Sequence, residues 1–405
     1  MDGLTLTKTH DRRRFLICSV VGVVMSIFLL GGCVGPPALR STVIGYDKIT
    51  NQLEQELMLL NIARAHHMGT PHFTVTGSIA ATFDFTTTGG VTPSWQKSPA
   101  SHSVDLNWGA SASENPTFSI IPVSGEEFTK RLVTPLPEGA YSVLVFQGTD
   151  IPVVTRLMAA GFDAQNRKGH FQRFIANDPR RPEAYEEFRR LTMHLAGLWL
   201  TQNLSARDLL FDEIVIDGLK NQPKGEDLWK GKGLKWWLNP DGTWKVTRRT
   251  KGRVLVSNYD PMSLTHRERY ELNEIAKNNA DNYVMVDIRP GYPGGDLPFF
   301  GAIKLRSYLD ILFFIGQGID KVVEFDVAKD PRTPGPAGDN PPRTLAIRVT
   351  EQSPTSGVPR AFYKGKYYSL GDSEWDQKAF AVLSILFQVT VTDVSQVGIP
   401  ITISK

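Results

Sequence analysis

Two stretches of the chain alternate between apolar and polar residues. In residues 73–85 the odd positions hold apolar or small residues, and all but one of the even positions are polar. In residues 103–113 the even positions are apolar and the odd positions hold Ser, Asp, Asn or Gly. A period of two predicts strands, and the Gly-, Pro- and Ser-rich connection predicts one long amphipathic hairpin over residues 73–113.

The length of this hairpin allows two environments. Its strands, 13 and 11 residues long, exceed the usual strand length of about five or six and match the ~9–11 residues that cross a bilayer. A single hairpin cannot close a sheet on itself, so a membrane role requires an oligomeric pore to which each subunit contributes one hairpin. A soluble hairpin covered on one face by helices gives the same alternation, and from the sequence alone we favour this interpretation.

Apolar residues recur at helical spacing elsewhere. Helices are predicted near residues 49–66, 126–132, 137–146, 150–158, 180–198, 307–316 and 373–387. A capping box is predicted at Ser124, and Arg189 and Arg190 are expected on the outer face of their helix. Further strands are predicted at 117–121, 283–288, 345–349, 361–370 and 399–403, with a loop at 330–342. The mixture predicts an α+β fold with helices and antiparallel hairpins.

The pattern also suggests a division of the chain into four parts. These are an N-terminal segment (1–32), a short tether (33–45), a helical subdomain that contains the hairpin (46–205) and an α+β subdomain (206–405). The fourth part contains a basic, Trp-rich segment at 220–253.

The N-terminus has the parts of an export signal. Three arginines at positions 12–14 precede an uncharged run of 16 residues, 15–30, which is followed by small residues. The run is shorter than the ~20 residues of a membrane-spanning helix, which disfavours an uncleaved anchor. The sequence Leu30-Gly31-Gly32-Cys33 resembles the lipobox of bacterial lipoproteins. The arginines also resemble a twin-arginine signal, so the export route stays open.

The lipobox resemblance implies cleavage before Cys33, so that residues 1–32 are a signal peptide and residues 33–45 a lipidated tether. It implies a diacylglyceryl group on the Cys33 thiol and an acyl chain, such as palmitate, on the new amino group. Val34, where some lipoproteins have Asp, implies sorting to the outer membrane, with the folded chain on the periplasmic face. Two or more acyl chains anchor a protein stably, and no other cofactor is expected.

The charge balance bears on possible partners. Residues 33–405 carry 41 Lys and Arg residues against 40 Asp and Glu residues, so no chain-wide positive field points to nucleic acid. Cys18 belongs to the signal and Cys33 to the lipid anchor, so no disulfide is expected after export.

The segment 220–253 is locally basic and aromatic. It contains ten Lys and Arg residues, three acidic residues and four of the eight tryptophans. The candidate residues for binding an anionic lipid or glycan, through stacking and charge, are therefore Trp236, Trp237, Trp244, Arg248 and Arg249. The alternative is a hairpin that turns at residues 239–242, with packed tryptophans and solvated lysines; it is the favoured interpretation.

Sequence patterns that would indicate a metal site or a catalytic site are weak. His66, His67 and His72 lie near the end of a predicted helix without acidic or Cys neighbours at ligand spacing, so we expect surface histidines and no metal site. The chain contains no nucleophile elbow, His-Glu-x-x-His motif or phosphate-binding loop. We therefore expect that the protein is not an enzyme.

These observations predict a non-catalytic binding or assembly component of the cell envelope, anchored in the outer membrane. It would work in an envelope protein complex or as a homo-oligomer. Two alternatives stay open: a subunit of an oligomeric outer-membrane pore that contributes the 73–113 hairpin, and an envelope polysaccharide hydrolase whose acid pair the sequence does not assign.

Overall fold

The protein has an α+β fold, as predicted. The computed structural model describes residues 35–94, 103–221, 233–336, 338–354, 358–390 and 401–404. The helices of these ranges are α1 (Gly35–His66), α2 (Glu126–Val133), α3 (Glu138–Phe146), α4 (Ile151–Met158), α5 (Pro182–Leu200), α6 (His266–Lys277), α7 (Tyr308–Gly318) and α8 (Glu374–Thr390). The predicted helices are confirmed, and α6 was not predicted.

The strands form three sheets. They are β1 (Phe73–Ser94), β2 (Ser103–Val123), β3 (Ala159–Gln165), β4 (Phe171–Ala176), β5 (Ser205–Leu219), β6 (Leu234–Leu238), β7 (Trp244–Ser257), β8 (Tyr283–Ile288), β9 (Phe299–Leu305), β10 (Ile347–Thr350), β11 (Arg360–Tyr363), β12 (Lys366–Leu370) and β13 (Ile401–Ser404). The sheet orders are β1-β2-β13, β10-β12-β11 and β4-β3-β9-β8-β7-β5, with β6 paired to β7. Pairing is antiparallel except between β7 and β8.

The central sheet explains which strands the sequence did not reveal. Five of the six residues of β8 are buried, as are five of the seven residues in each of β3 and β9. A strand covered on both faces loses the alternation that marks a half-exposed one, so β3 and β9 carry no period-two signal. Strands from both sides of residue 205 pair in this one sheet, and residues 56–405 form one compact unit.

Helix α1 begins at Gly35, so residues 35–45 of the predicted tether are helical. Pro36 and Pro37 stand in its first turn, where a proline costs no hydrogen bond and its fixed φ suits a helix. The helix ends at His66, and Met68 follows it with a positive φ of 58°. This end agrees with the stop predicted from Gly69 and Pro71.

Two local expectations were wrong. The N-cap of α2 is Gly125, with φ 113° and no capping side chain, so the capping box at Ser124 does not form. Arg189 of α5 is fully buried and does not lie on the outer face. It donates hydrogen bonds to the hydroxyl of Tyr185 and to carbonyl oxygens of the loop after Asp339.

This buried arginine belongs to a polar cluster. The Glu324 carboxylate accepts hydrogen bonds from the Tyr185 hydroxyl at 2.9 Å and from the Thr344 backbone N–H at 2.6 Å, and it lies 3.4 Å from Arg156. Burial alone would raise the pKa of Glu324, but Arg156 and Thr344 hold it below its ordinary value. The cluster joins α4 and α5 to the long loop before β10.

An aromatic cluster fixes the base of the β1–β2 hairpin. Phe73, 4% exposed, stacks on Phe387 of α8 with ring centroids 5.1 Å apart. It also meets the edges of Phe128 of α2 and Tyr308 of α7 at 5.6 and 6.1 Å. Its ladder partner Val123 is 5% exposed. The first residue pair of the hairpin is therefore part of the hydrophobic core.

Replacing Phe73 with Ala should destabilise the protein through a cavity at the hairpin base. The expected loss in free energy of unfolding is about 3–5 kcal/mol, as for other buried Phe→Ala changes. Phe171→Ala is the matched control, because Phe171 is 61% exposed. Urea denaturation of both variants measures the difference, and equal shifts in the midpoint would contradict the assigned role of Phe73.

Candidate functional site

The β1–β2 hairpin is the longest paired element of the described chain. β1 has 22 residues and β2 has 21, and they pair from Phe73 with Val123 to Ser94 with Ser103. At about 3.3 Å per residue the ladder is roughly 70 Å long. The hairpin predicted at 73–113 is confirmed and is longer than expected, because β2 also contains the strand predicted at 117–121.

The register keeps the two alternations in phase. Residues paired across an antiparallel ladder belong to the same face of the sheet. On one face, here the apolar face, lie the pairs Ile79 with Phe118, Ala81 with Pro116, Phe83 with Glu114, Phe85 with Ala112, Thr87 with Ala110, Gly89 with Trp108, Val91 with Leu106 and Pro93 with Val104. On the other, the polar face, lie the pairs that run from Ser78 with Ser119 to Ser94 with Ser103 and contain mainly Ser, Thr, Asn, Asp and Gly.

A β-bulge at Gly77 interrupts the apolar alternation that the sequence shows in β1. The register shifts between Thr76 and Ser78, so odd positions before the bulge and even positions after it share one face. At the base of the hairpin, Phe73 and Val75 therefore belong to the face that is polar beyond the bulge. Ile79 belongs to the opposite, apolar face. The apolar set that packs into the body and the apolar set farther out belong to opposite faces.

The apolar face has an uncharged band that ends at a carboxylic acid on one side. From Phe85 to Pro93 and from Val104 to Ala112 this face contains no charged residue. Glu114 pairs with Phe83 just before this band begins. The band spans nine residues of each strand, about 30 Å along the ladder.

The sheet has two open edges. The order β1-β2-β13 makes β1 an edge strand over its full length within the described residues. β13 pairs with β2 only between Thr117 and Ile120, and no other described strand pairs with the outer edge of β2 beyond this point. Ile401 and Ile403 pair with Ile120 and Phe118, so β13 continues the apolar face. An edge of this length is a ready template for pairing with another strand.

Two sequence-based expectations concern the membrane directly. Cys33, the predicted lipidation site, lies outside the described residues. Among the helices of the described residues, none is long and apolar enough to cross a membrane.

The five candidate ligand-binding residues lie in a hairpin formed by β6 and β7. The predicted turn at 239–242 is confirmed, with the Asn239 N–H bonded to the Thr243 carbonyl at 2.7 Å. Trp236, Trp244 and Arg248 belong to one face of this hairpin, and Trp237 and Arg249 belong to the other. The structure therefore separates the five residues into two groups that cannot contact one ligand face together.

Acidic residues of β5 compensate much of the local positive charge. Arg248 lies 3.3 Å from Glu213, Lys235 3.6 Å from Asp212 and Lys251 2.8 Å from Asp208. Hydrogen bonds from Thr250 and Arg248 lower the pKa of Glu213. The net charge of residues 220–253 does not include these acidic partners, because they belong to β5, which precedes the segment and pairs with β7.

The tryptophans differ in their surroundings. Trp237 is 48% exposed and donates its indole N–H to the Thr247 hydroxyl at 2.9 Å. Trp236 is half-buried, and its indole nitrogen is buried without a partner among the described residues. These environments suit packing as much as stacking on a ligand. The anionic-ligand assignment stays a prediction.

The histidines at the end of α1 form contacts within the fold. His66, expected at the surface, is 6% exposed, with Nδ1 3.0 Å from the Gly316 carbonyl oxygen. His67 Nε2 lies 2.9 Å from the Tyr368 hydroxyl, and burial lowers the pKa of His67. No group of three metal-ligating side chains occurs in the ranges that the structure covers.

Comparisons of the chain with protein-family models, with curated proteins and with solved structures gave no match.

Proposed function

We propose that this protein is a subunit of a homo-oligomeric pore of the outer membrane. Each copy contributes the β1–β2 hairpin to a closed ring of strands, and lipid on Cys33 anchors the copy at the bilayer. This is one of the two alternatives that the sequence left open, and it replaces the binding or assembly role that we expected first. The observation that carries the proposal is the amphipathic ladder with two open edges.

The dimensions of the apolar band fit an outer membrane. Strands in membrane-spanning sheets tilt by about 35–45°, which reduces 30 Å along the ladder to roughly 21–25 Å across the bilayer. The apolar belt of outer-membrane proteins is about 25 Å tall. Glu114 stands at the end of the band, which corresponds to the interface of the bilayer.

Free energies show why one hairpin is insufficient. A ribbon face of about 30 Å by 10 Å gains roughly 7 kcal/mol on leaving water, at about 25 cal/mol per Å². Along the band, about half of the residues of each strand direct their N–H and C=O groups outward from an open edge. Each such group left unpaired in lipid costs several kcal/mol, so roughly eighteen of them outweigh the gain.

Pairing between copies removes this cost. When the open edge of β1 in one copy pairs with the open edge of β2 in the next, the backbone groups along both edges are satisfied. Repetition of one head-to-tail contact closes into a ring if the rotation between copies allows it. Lipid then covers the apolar face and water fills the side with Ser, Thr and Asn.

Removing the outer part of the hairpin tests this proposal. Replacing residues 85–112 with Asn-Gly joins Asp84 to Ser113 and keeps the base pairs that pack into the core. We expect a folded protein that is monomeric in detergent and gives no channel steps in planar bilayers, whereas the intact protein gives oligomers and steps. Conductance by the shortened protein would contradict the proposal, as would a strictly monomeric, non-conducting intact protein.

Two arginine substitutions test which face of the hairpin contacts lipid. Val91→Arg puts a charge on the apolar face, where it should cost about 2–4 kcal/mol per subunit and prevent insertion into liposomes. Thr88→Arg is the matched control on the polar face, and it should insert and conduct. Release of a dye trapped in liposomes measures both. Equal release by the two variants would mean that the apolar face does not contact lipid.

A further inference from the structure

The polar face of the hairpin carries charge of one sign. Its only ionisable residues are Asp84, paired with Ser113, and Asp105, paired with Thr92. Residues 78–94 and 103–119 contain no Lys or Arg at all. Lys97 and His102 belong to the connection between the strands, outside the described residues.

The ladder register fixes the separation of the two aspartate positions. Thr92, the partner of Asp105, is eight residues from Asp84 along β1, which corresponds to about 26 Å. The screening length in 0.1 M salt is about 10 Å, so the two positions act on passing ions almost independently.

Their placement coincides with the ends of the apolar band. Asp84 is next to Phe85, at the end nearer the body, and Asp105 is next to Val104, at the far end. Between them, the polar face contains Thr86, Ser111, Thr88, Gly109, Gly90 and Asn107. A ring of hairpins thus has a carboxylate at each mouth of its membrane-crossing part and only neutral groups between the mouths.

From this arrangement we infer that the pore selects small inorganic cations over anions. The inference rests on the proposed function, because it assigns the polar face to the water-filled side of the ring. Every copy adds one carboxylate to each of two rings, and no cation of the polar face offsets them. Rings of Asp concentrate cations at a mouth and repel anions, and neutral hydroxyl and amide groups between them let the ions pass without tight binding.

Reversal potentials under a KCl gradient test the inference, with the full-length protein purified from membranes and placed in planar bilayers. The intact pore should pass K⁺ in preference to Cl⁻. Asp84→Asn combined with Asp105→Asn should abolish this preference, and each single change should reduce it in part, since the rings act separately. Asp84→Lys combined with Asp105→Lys should invert it.

Glu114→Gln is the control, because it removes a carboxylate from the apolar face and should leave the reversal potential unchanged. A conducting intact pore without cation preference, or one whose preference survives the double Asn change, overturns the inference and leaves the pore intact. Absence of any conductance by the intact protein overturns the proposed function itself, and the inference falls with it.

Discussion

Burial of Phe73 among Phe128, Tyr308 and Phe387 is the contact on which the hairpin depends. An isolated two-stranded ribbon is at best marginally stable in water, because each pair fixes two residues for little buried area. The aromatic contact removes this difficulty at the base, where three helices meet the first residue pair. The rest of the ladder gains nothing from that contact, so its apolar face needs partners that the base does not supply.

The Gly77 bulge places the apolar residues of the base and those of the outer hairpin on opposite faces. At the base, the ribbon buries its Phe73 side in the body of the same chain; beyond the bulge, its apolar residues lie on the opposite side. β2 makes the same change without a bulge, through the adjacent residues Ile120 and Ile121. A hairpin designed only to lie on the body would keep one apolar face throughout, since a change of face turns the outer apolar residues away from the surface that receives the base.

The sequence revealed this hairpin because period-two alternation is local and long here. It could not reveal the change of face, since the odd positions of residues 73–85 read as one continuous stripe and only the pairing with β2 shows that Gly77 is an extra residue. For the same reason β3 and β9 escaped prediction, because burial on both faces erases the alternation. Arg189 was misplaced because Tyr185 and distant carbonyls satisfy it, and the charge of 220–253 was overestimated because its acidic partners lie in β5.

In the proposed pore, the large cost of unpaired backbone in lipid would also set the order of events during assembly. A hairpin that entered the bilayer alone would lose more free energy at its edges than its apolar face gains, so edge pairing must precede or accompany insertion. The lipid predicted on Cys33 would help at this step, because it would raise the local concentration of copies on one surface and favour pairing without any new contact. In the proposed pore, anchoring and edge pairing are therefore successive requirements of one process: the first would gather the hairpins, and the second would make their insertion favourable.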